Sequence, residues 1–231
     1  MTADQQKKAA ALAALDYVES GMKVGLGTGS TARHFITALA AKVKSGLDVM
    51  AVPTSRATRD LAHSLGIPLT DLDKHPFLDL TVDGADEFDG DFHLMKGGGG
   101  ALLLEKIVAS SSRRMIVIAD ESKKVDALGR FPLPVEVVSF GVSATAWKIE
   151  RVLKICGLDG KLTLRRRDNK PFITDTGNAI IDVAIGRIPE PERLSNLLNI
   201  VPGVVDNGLF IGICGIVLMG SKDGVKTFKK S

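Results

Sequence analysis

The chain has 231 residues, 45% of them hydrophobic and 25% charged, a globular composition that excludes a disordered chain. Its 30 Lys and Arg against 27 Asp and Glu leave a net charge of +3, too weak for a nucleic-acid-binding surface. Two cysteines, Cys156 and Cys214, make no disulfide framework and suit a reducing, cytoplasmic setting, and the longest apolar stretch, 208–220, falls short of the roughly 20 residues a membrane span needs.

The charged N-terminal stretch, 1–18, is expected to be an amphipathic helix and not a leader peptide. A strand follows at 22–26 and a helix at 30–43, with Phe35, Ile36, Leu39 and Val43 at helical spacing. Next come a strand at 48–52, a helix at 55–65, a strand at 78–82, a helix at 101–111 and a strand at 115–119. That alternation is the pattern of a parallel sheet flanked by helices. The two prolines in GRFPLP, 129–134, mark a boundary. Beyond it the order is strand 135–140, helix 143–156, strand 161–166, strand 179–185, helix 190–199 and strand 204–210. This is the β-α-β-β-α-β order of a ferredoxin-like unit. A last strand at 216–219 returns with the tail to the first domain. The expected architecture is α/β: a Rossmann-like domain over 1–130 and 211–231, with a smaller ferredoxin-like α+β domain, 131–210, inserted.

Ligands of open parallel sheets bind beyond the carboxyl ends of the strands, so the loops that follow each strand deserve the closest reading. After the first comes GLGTGST, 25–31, opening a helix. Glycines there turn backbone N–H groups toward one point, and a helix N-terminus favours an anion. It is no Walker loop and a poor dinucleotide fingerprint, since Ser30 stands where the third glycine belongs. The loop is a phosphate cradle or merely a tight turn. After the third strand, Asp83 and Asp86 flank a Gly-Ala pair. Two close carboxylates serve proton transfer on a polyol or bind a cation, and the calcium-loop spacing is absent. Asp89 and Asp91 suit an exposed turn, Glu87 a structural pairing, and the four histidines show no paired ligand spacing. KGGGG, 96–100, is costly in backbone entropy, which argues for close backbone approach to a ligand. Glu105 then lies one turn into a helix, either as a general base or as an ordinary surface partner. Asp120 to Lys124 closes the same rim, and Arg165-Arg166-Arg167 suits a solvated turn.

Together these segments resemble the ribose-5-phosphate isomerase A family. The matching stretches are GLGTGSTA at 25–32, DGADE at 83–87, KGGGGALLLEK at 96–106, ADESKKVDALGRFPLPVEV at 119–137, TDTGNAIID at 174–182 and VPGVVDNGLF at 201–210. They follow the family's order over nearly the whole chain. One departure is Thr176, where the family more often has asparagine. The resemblance implies aldose–ketose isomerisation of a phosphorylated pentose through an enediolate, with neither metal nor organic cofactor. It implies Glu105 as the base between C1 and C2 and Asp83 as the acid/base in ring opening. Lys96, with Asp86 and the adjacent glycine amides, would hold the reacting oxygens, and Gly84, Ala85, Gly97, Gly98 and Gly99 would bind the substrate. Thr28, Gly29, Ser30, Thr31, Lys123 and Lys7 would bind the phosphate and the rest of the substrate. It further implies a homo-oligomer, dimer or tetramer, with no nucleic-acid or membrane partner. A non-catalytic sugar-phosphate-sensing domain would share the cradle, but no DNA-reading module precedes residue 20. The imperfect fingerprint weighs against a nicotinamide-dependent dehydrogenase.

Overall fold

The computed structural model describes residues 1–230. The chain divides into two compact units, one of residues 1–85, 104–124 and the stretch from 212 onward, the other of residues 86–103 and 125–211.

In the first unit, α1 (Ala3–Ala14) starts at a capping box: the Thr2 hydroxyl accepts the Gln5 N–H, and the Gln5 side chain accepts that of Thr2. Its buried face is Gln6, Ala10, Ala11 and Ala14, the three alanines small enough to let the helix lie close on a sheet. Then follow β1 (Lys23–Leu26), α2 (Ser30–Lys44), β2 (Met50–Pro53), α3 (Arg56–Ser64) and β3 (Leu80–Asp83). In the second unit a hairpin is made of β4 (Glu87–Phe88) and β5 (Leu94–Met95). The helix α4 (Leu102–Ser110) leads back to the first unit, to β6 (Met115–Asp120).

The remaining elements of the second unit are β7 (Leu133–Val137), α5 (Val142–Ile155), β8 (Lys161–Leu164), the short pair β9 (Arg166–Arg167) and β10 (Lys170–Pro171), β11 (Ala179–Ala184), α6 (Pro191–Asn199), β12 (Val204–Asn207) and β13 (Leu209–Phe210). The strands β14 (Cys214–Ser221) and β15 (Gly224–Lys229) complete the first unit.

The first unit's sheet runs β15-β14-β6-β3-β1-β2, parallel except for β15. All residues of β3 and β6 are buried, as expected for strands covered on both faces. The chain leaves β1 toward β2 and returns to β3 on β1's other side. The carboxyl ends of β1 and β3 therefore form the switch point where an open sheet offers a crevice.

The second unit holds a four-stranded antiparallel sheet, β12-β7-β11-β8, the strand order of the ferredoxin-like unit. Its core joins Leu133, Val135 and Val137 to Ile149 and Leu153 of α5 and Leu194 and Leu198 of α6.

The expected domain boundaries shift. Residues 86–103 and 125–130 fold with the second unit. The buried Glu87 carboxylate accepts the N–H groups of Gly129 and Phe131 at 2.8 and 2.6 Å, and β5 pairs with β13. The strand expected over 204–210 is also broken. At Gly208 it changes partner from β7 to β5, with the Gly208 N–H donating to Pro134 O and its carbonyl accepting the Lys96 N–H, both at 2.8 Å. The buried Asn207 side chain accepts the Leu209 N–H at 3.0 Å and braces the change. The tail strand β15 is an addition to the expected elements; Asp223-Gly224 was its turn signal. Among the described residues, no helix is long and apolar enough to cross a membrane.

Candidate active site

In the first unit the loop after β1 and the loop after β3 are joined by one carboxylate. Asp83 is fully buried, and its Oδ1 accepts the N–H of Thr28 at 3.1 Å and of Gly84 at 2.7 Å. Gly27 is a glycine because a Cβ there would overlap that carboxylate, and Gly25 because one would strike Thr81 and Val108. Gly29 has a φ of 113° and no side chain to cap α2, so the first N–H groups of that helix face outward without a protein side-chain cap. Ser30 is exposed and takes a hydrogen bond from Lys7 Nζ at 3.2 Å, while Thr31 is half-buried. Lys7 and Ser30, 23 residues apart in the chain, are thus brought together.

Lys123 ends the short 3-10 turn Glu121–Lys123 that follows β6, and Asp120 anchors this turn by accepting the Ser122 N–H and hydroxyl. The buried Gln6 of α1 donates to Glu121 Oε1 at 2.6 Å. One contact therefore fixes both the helix that carries Lys7 and the turn that carries Lys123. Glu105 stands in the first turn of α4 with only 4% of its surface exposed. It is no surface partner. A carboxylate buried to that degree is held against its preference for water.

In the second unit, Lys96 is 2% exposed, with its ammonium 5.5 Å from the centroid of the Phe210 ring. Asp86 Oδ2 accepts the Gly98 N–H at 2.8 Å. The glycine run is shaped by the protein's own packing. A Cβ at Gly97 would meet Leu102, at Gly98 Asp86 and Phe131, and at Gly100 Phe172, and φ is 104° at Gly97 and 83° at Gly100. Close approach is thus the reason for these glycines, but the approaching groups are side chains of this chain.

Arg165 corrects the expectation of a solvated arginine turn. It forms a two-pronged pair with Asp182 and donates from Nη1 to Gly97 O at 2.7 Å and Gly98 O at 3.2 Å. Arg166 and Arg167 are exposed, as expected. Asp89 is not the exposed residue anticipated: its side chain is 9% exposed, and it accepts the His93 and Asp91 N–H groups and pairs with His93 Nδ1 at 3.0 Å. Cys214 is buried, which pushes its thiol up to about 12 and rules it out as a nucleophile at neutral pH. Cys156, half-buried, is raised by the same loss of water.

The largest group absent from the sequence expectations is a cluster of hydroxyls behind the first loop: Thr54, Ser55 and Thr58, all buried, around the Thr28 side chain. The only trace of it in the sequence is the hydroxyl-rich string Thr54-Ser55-x-x-Thr58, which also reads as a helix cap.

A family model described as ribose 5-phosphate isomerase A (phosphoriboisomerase A) matches residues 50–224. The chain is 61% identical to a ribose-5-phosphate isomerase A of Parvibaculum lavamentivorans, over 97% of each chain. It is 54% identical to one of Rhodopseudomonas palustris, over 100% of this chain and 96% of the relative. Among solved structures it is similar to a ribose 5-phosphate isomerase of Plasmodium falciparum, with a TM-score of 0.93, 41% identity and 99% of each chain covered. A D-ribose-5-phosphate isomerase in complex with phospho-erythronic acid gives a TM-score of 0.91 at 41% identity over 100% of both chains.

Proposed function

The chain belongs to the ribose 5-phosphate isomerase A family, and from that premise we propose how its residues share the reaction. The protein interconverts ribose 5-phosphate and ribulose 5-phosphate. This is an internal redox exchange between C1 and C2: one carbon is oxidised as its neighbour is reduced, and a proton moves between them. An enediolate is the intermediate such a shift passes through. Glu105 acts as the base that takes the proton from one carbon and returns it to the other. Asp83, held by the two N–H groups it accepts, serves the ring oxygen when the furanose opens. Lys96 and Asp86 act on the oxygens where negative charge develops, the ammonium supplying the electrophile. The N-terminus of α2, with Ser30, Thr31, Lys7 and Lys123, receives the phosphate.

The observation that supports this division best is the burial of two carboxylates, Asp83 at the carboxyl end of β3 and Glu105 in the first turn of α4. A non-catalytic sensor needs the cradle and the Asp83 contacts that brace its loop, and has no use for a buried Glu105. Conversion of ribose 5-phosphate by the purified protein, with and without a chelator, tests the activity and its independence of metal. Glu105→Gln keeps the shape and removes the base, and should lower kcat by about 10²- to 10⁴-fold with little change in melting temperature. A Glu105→Gln protein with near-normal turnover would remove Glu105 from the role. We assign the activity to the non-oxidative interconversion of pentose phosphates in the cytoplasm, carried out by a homo-oligomer. Light scattering of the purified protein gives the copy number.

A further inference from the structure

Thr28 stands in the middle of the loop that the previous section assigns to phosphate, yet neither of its donors faces that way. Its N–H donates to Asp83 Oδ1. Its hydroxyl sits among three others, 2.8 Å from Thr54 Oγ1, 2.8 Å from Ser55 Oγ and 3.1 Å from Thr58 Oγ1. Each hydroxyl has one proton to give. Thr54 gives its proton to Leu26 O and Thr58 to Gly27 O, both at 2.9 Å. Ser55 gives its own to Thr58 Oγ1 at 3.1 Å, and accepts the Thr58 N–H at 3.0 Å. Thr28 has the geometry to donate to Ser55 Oγ, and in its contacts with Thr54 and Thr58 either oxygen can be the donor. All four protons then have acceptors inside the protein, two of them the carbonyls of the residues that lead into the loop.

A phosphate dianion offers only acceptors, so a hydroxyl whose proton points inward gives it nothing to bind. We propose that Thr28 is a positioning residue and not a phosphate ligand: with Thr54, Ser55 and Thr58 it forms a hydroxyl knot that fixes the backbone of residues 26–29, and the phosphate is bound by the α2 N–H groups and the Ser30 and Thr31 hydroxyls beyond it. The inference rests on reading this loop as the cradle. It also assigns work to Ser55, the N-cap of α3, which reaches the loop through Thr28, and to Thr58 in the first turn of that helix, which also holds Gly27 O directly.

The test uses the whole enzyme, the KM and kcat for ribose 5-phosphate, and the inhibition constant of inorganic phosphate as competitor. Thr28→Val and Ser55→Ala should each raise KM and the phosphate inhibition constant by the same factor, about five- to tenfold, as expected for one hydrogen bond, and should move kcat less. The double variant should be no worse than either single one, because both undo one knot. Thr28→Ser, which keeps the hydroxyl, should restore phosphate affinity. Where Ser55→Ala folds poorly, Ser55→Gly serves, since glycine is tolerated at a helix N-cap. The proposal is overturned if Thr28→Val weakens phosphate while Ser55→Ala does not, or if the two effects multiply; Thr28 would then be a ligand. Melting-temperature losses with an unchanged phosphate constant would also overturn it, leaving the cluster a structural feature alone. Ser30→Ala separates the two readings. If it too leaves the phosphate constant unchanged, the loop is not the cradle. If it weakens phosphate and Ser55→Ala does not, only the knot is refuted.

Discussion

A single carboxylate oxygen, Asp83 Oδ1, holds two loops in place, and the residue opposite it has no room to vary. Gly27 has the Asp83 Cα 2.6 Å from where its Cβ would be, and the carboxylate nearer still. Gly27→Ala should therefore push Asp83 off its two N–H donors. We expect turnover to fall at least about 100-fold and the melting temperature to drop by several degrees, read by steady-state kinetics and thermal unfolding. Normal kinetics would mean that the two loops have slack that their contacts do not suggest. The need for glycines in this loop was legible in the sequence, but the reasons were not. Gly25 and Gly27 answer to Thr81 and Asp83, more than 50 residues further on, and a string of letters does not show what lies on the next strand. The same holds for Arg165: three consecutive arginines look alike until the fold turns the first toward Asp182.

At the scale of elements, the order of helices and strands was legible because hydrophobic period and glycine-bearing turns agree along most of the chain. Apart from the tail strand β15, what escaped were two-residue strands such as β4 and β5, too short to carry a period, and the break that sets β13 apart from β12. These short strands position Lys96, since β5 delivers it and the Gly208 carbonyl holds its N–H. The glycine run after it is steadied by Arg165, whose Nη1 bridges two successive carbonyls. Arg165→Leu should loosen the run and leave the Asp182 carboxylate without its cation. We expect kcat to fall about tenfold with a modest loss of stability, on the order of 1–3 kcal/mol, by kinetics and denaturant titration. Arg165→Lys should not restore kcat, because an ammonium cannot serve a carboxylate and two carbonyls in the fork geometry of a guanidinium. Full rescue by lysine would reduce the contact to simple charge.

For the molecule as a whole, fold class and family were legible from the combined motifs, and the limits of the two units were not. A boundary drawn at prolines follows local chain stiffness, whereas the real division follows which segments pair. Residues 86–103 lie between two strands of the first unit in sequence and still fold with the second. Conversely, β14 inserts between β6 and β15, the pairing on which the first unit's sheet depends. A chain ending at residue 211 should lose that unit's order, with aggregation and reduced far-UV circular dichroism. A soluble truncated form with intact parallel-sheet signal would contradict it.

The pairing of β6 with β14 has a consequence for how the molecule is made. Asp120 ends β6 and Cys214 begins β14, so the ribosome adds some 90 residues between them. At roughly 5–20 residues per second the nascent chain spends about 5–20 s with β6 finished and its partner not yet emerged. Throughout that interval a row of apolar residues, Met115 to Ala119, stays open on one side. Folding of this unit is consequently an event of late synthesis, and a chaperone that shields β6 until then would raise the yield of native protein.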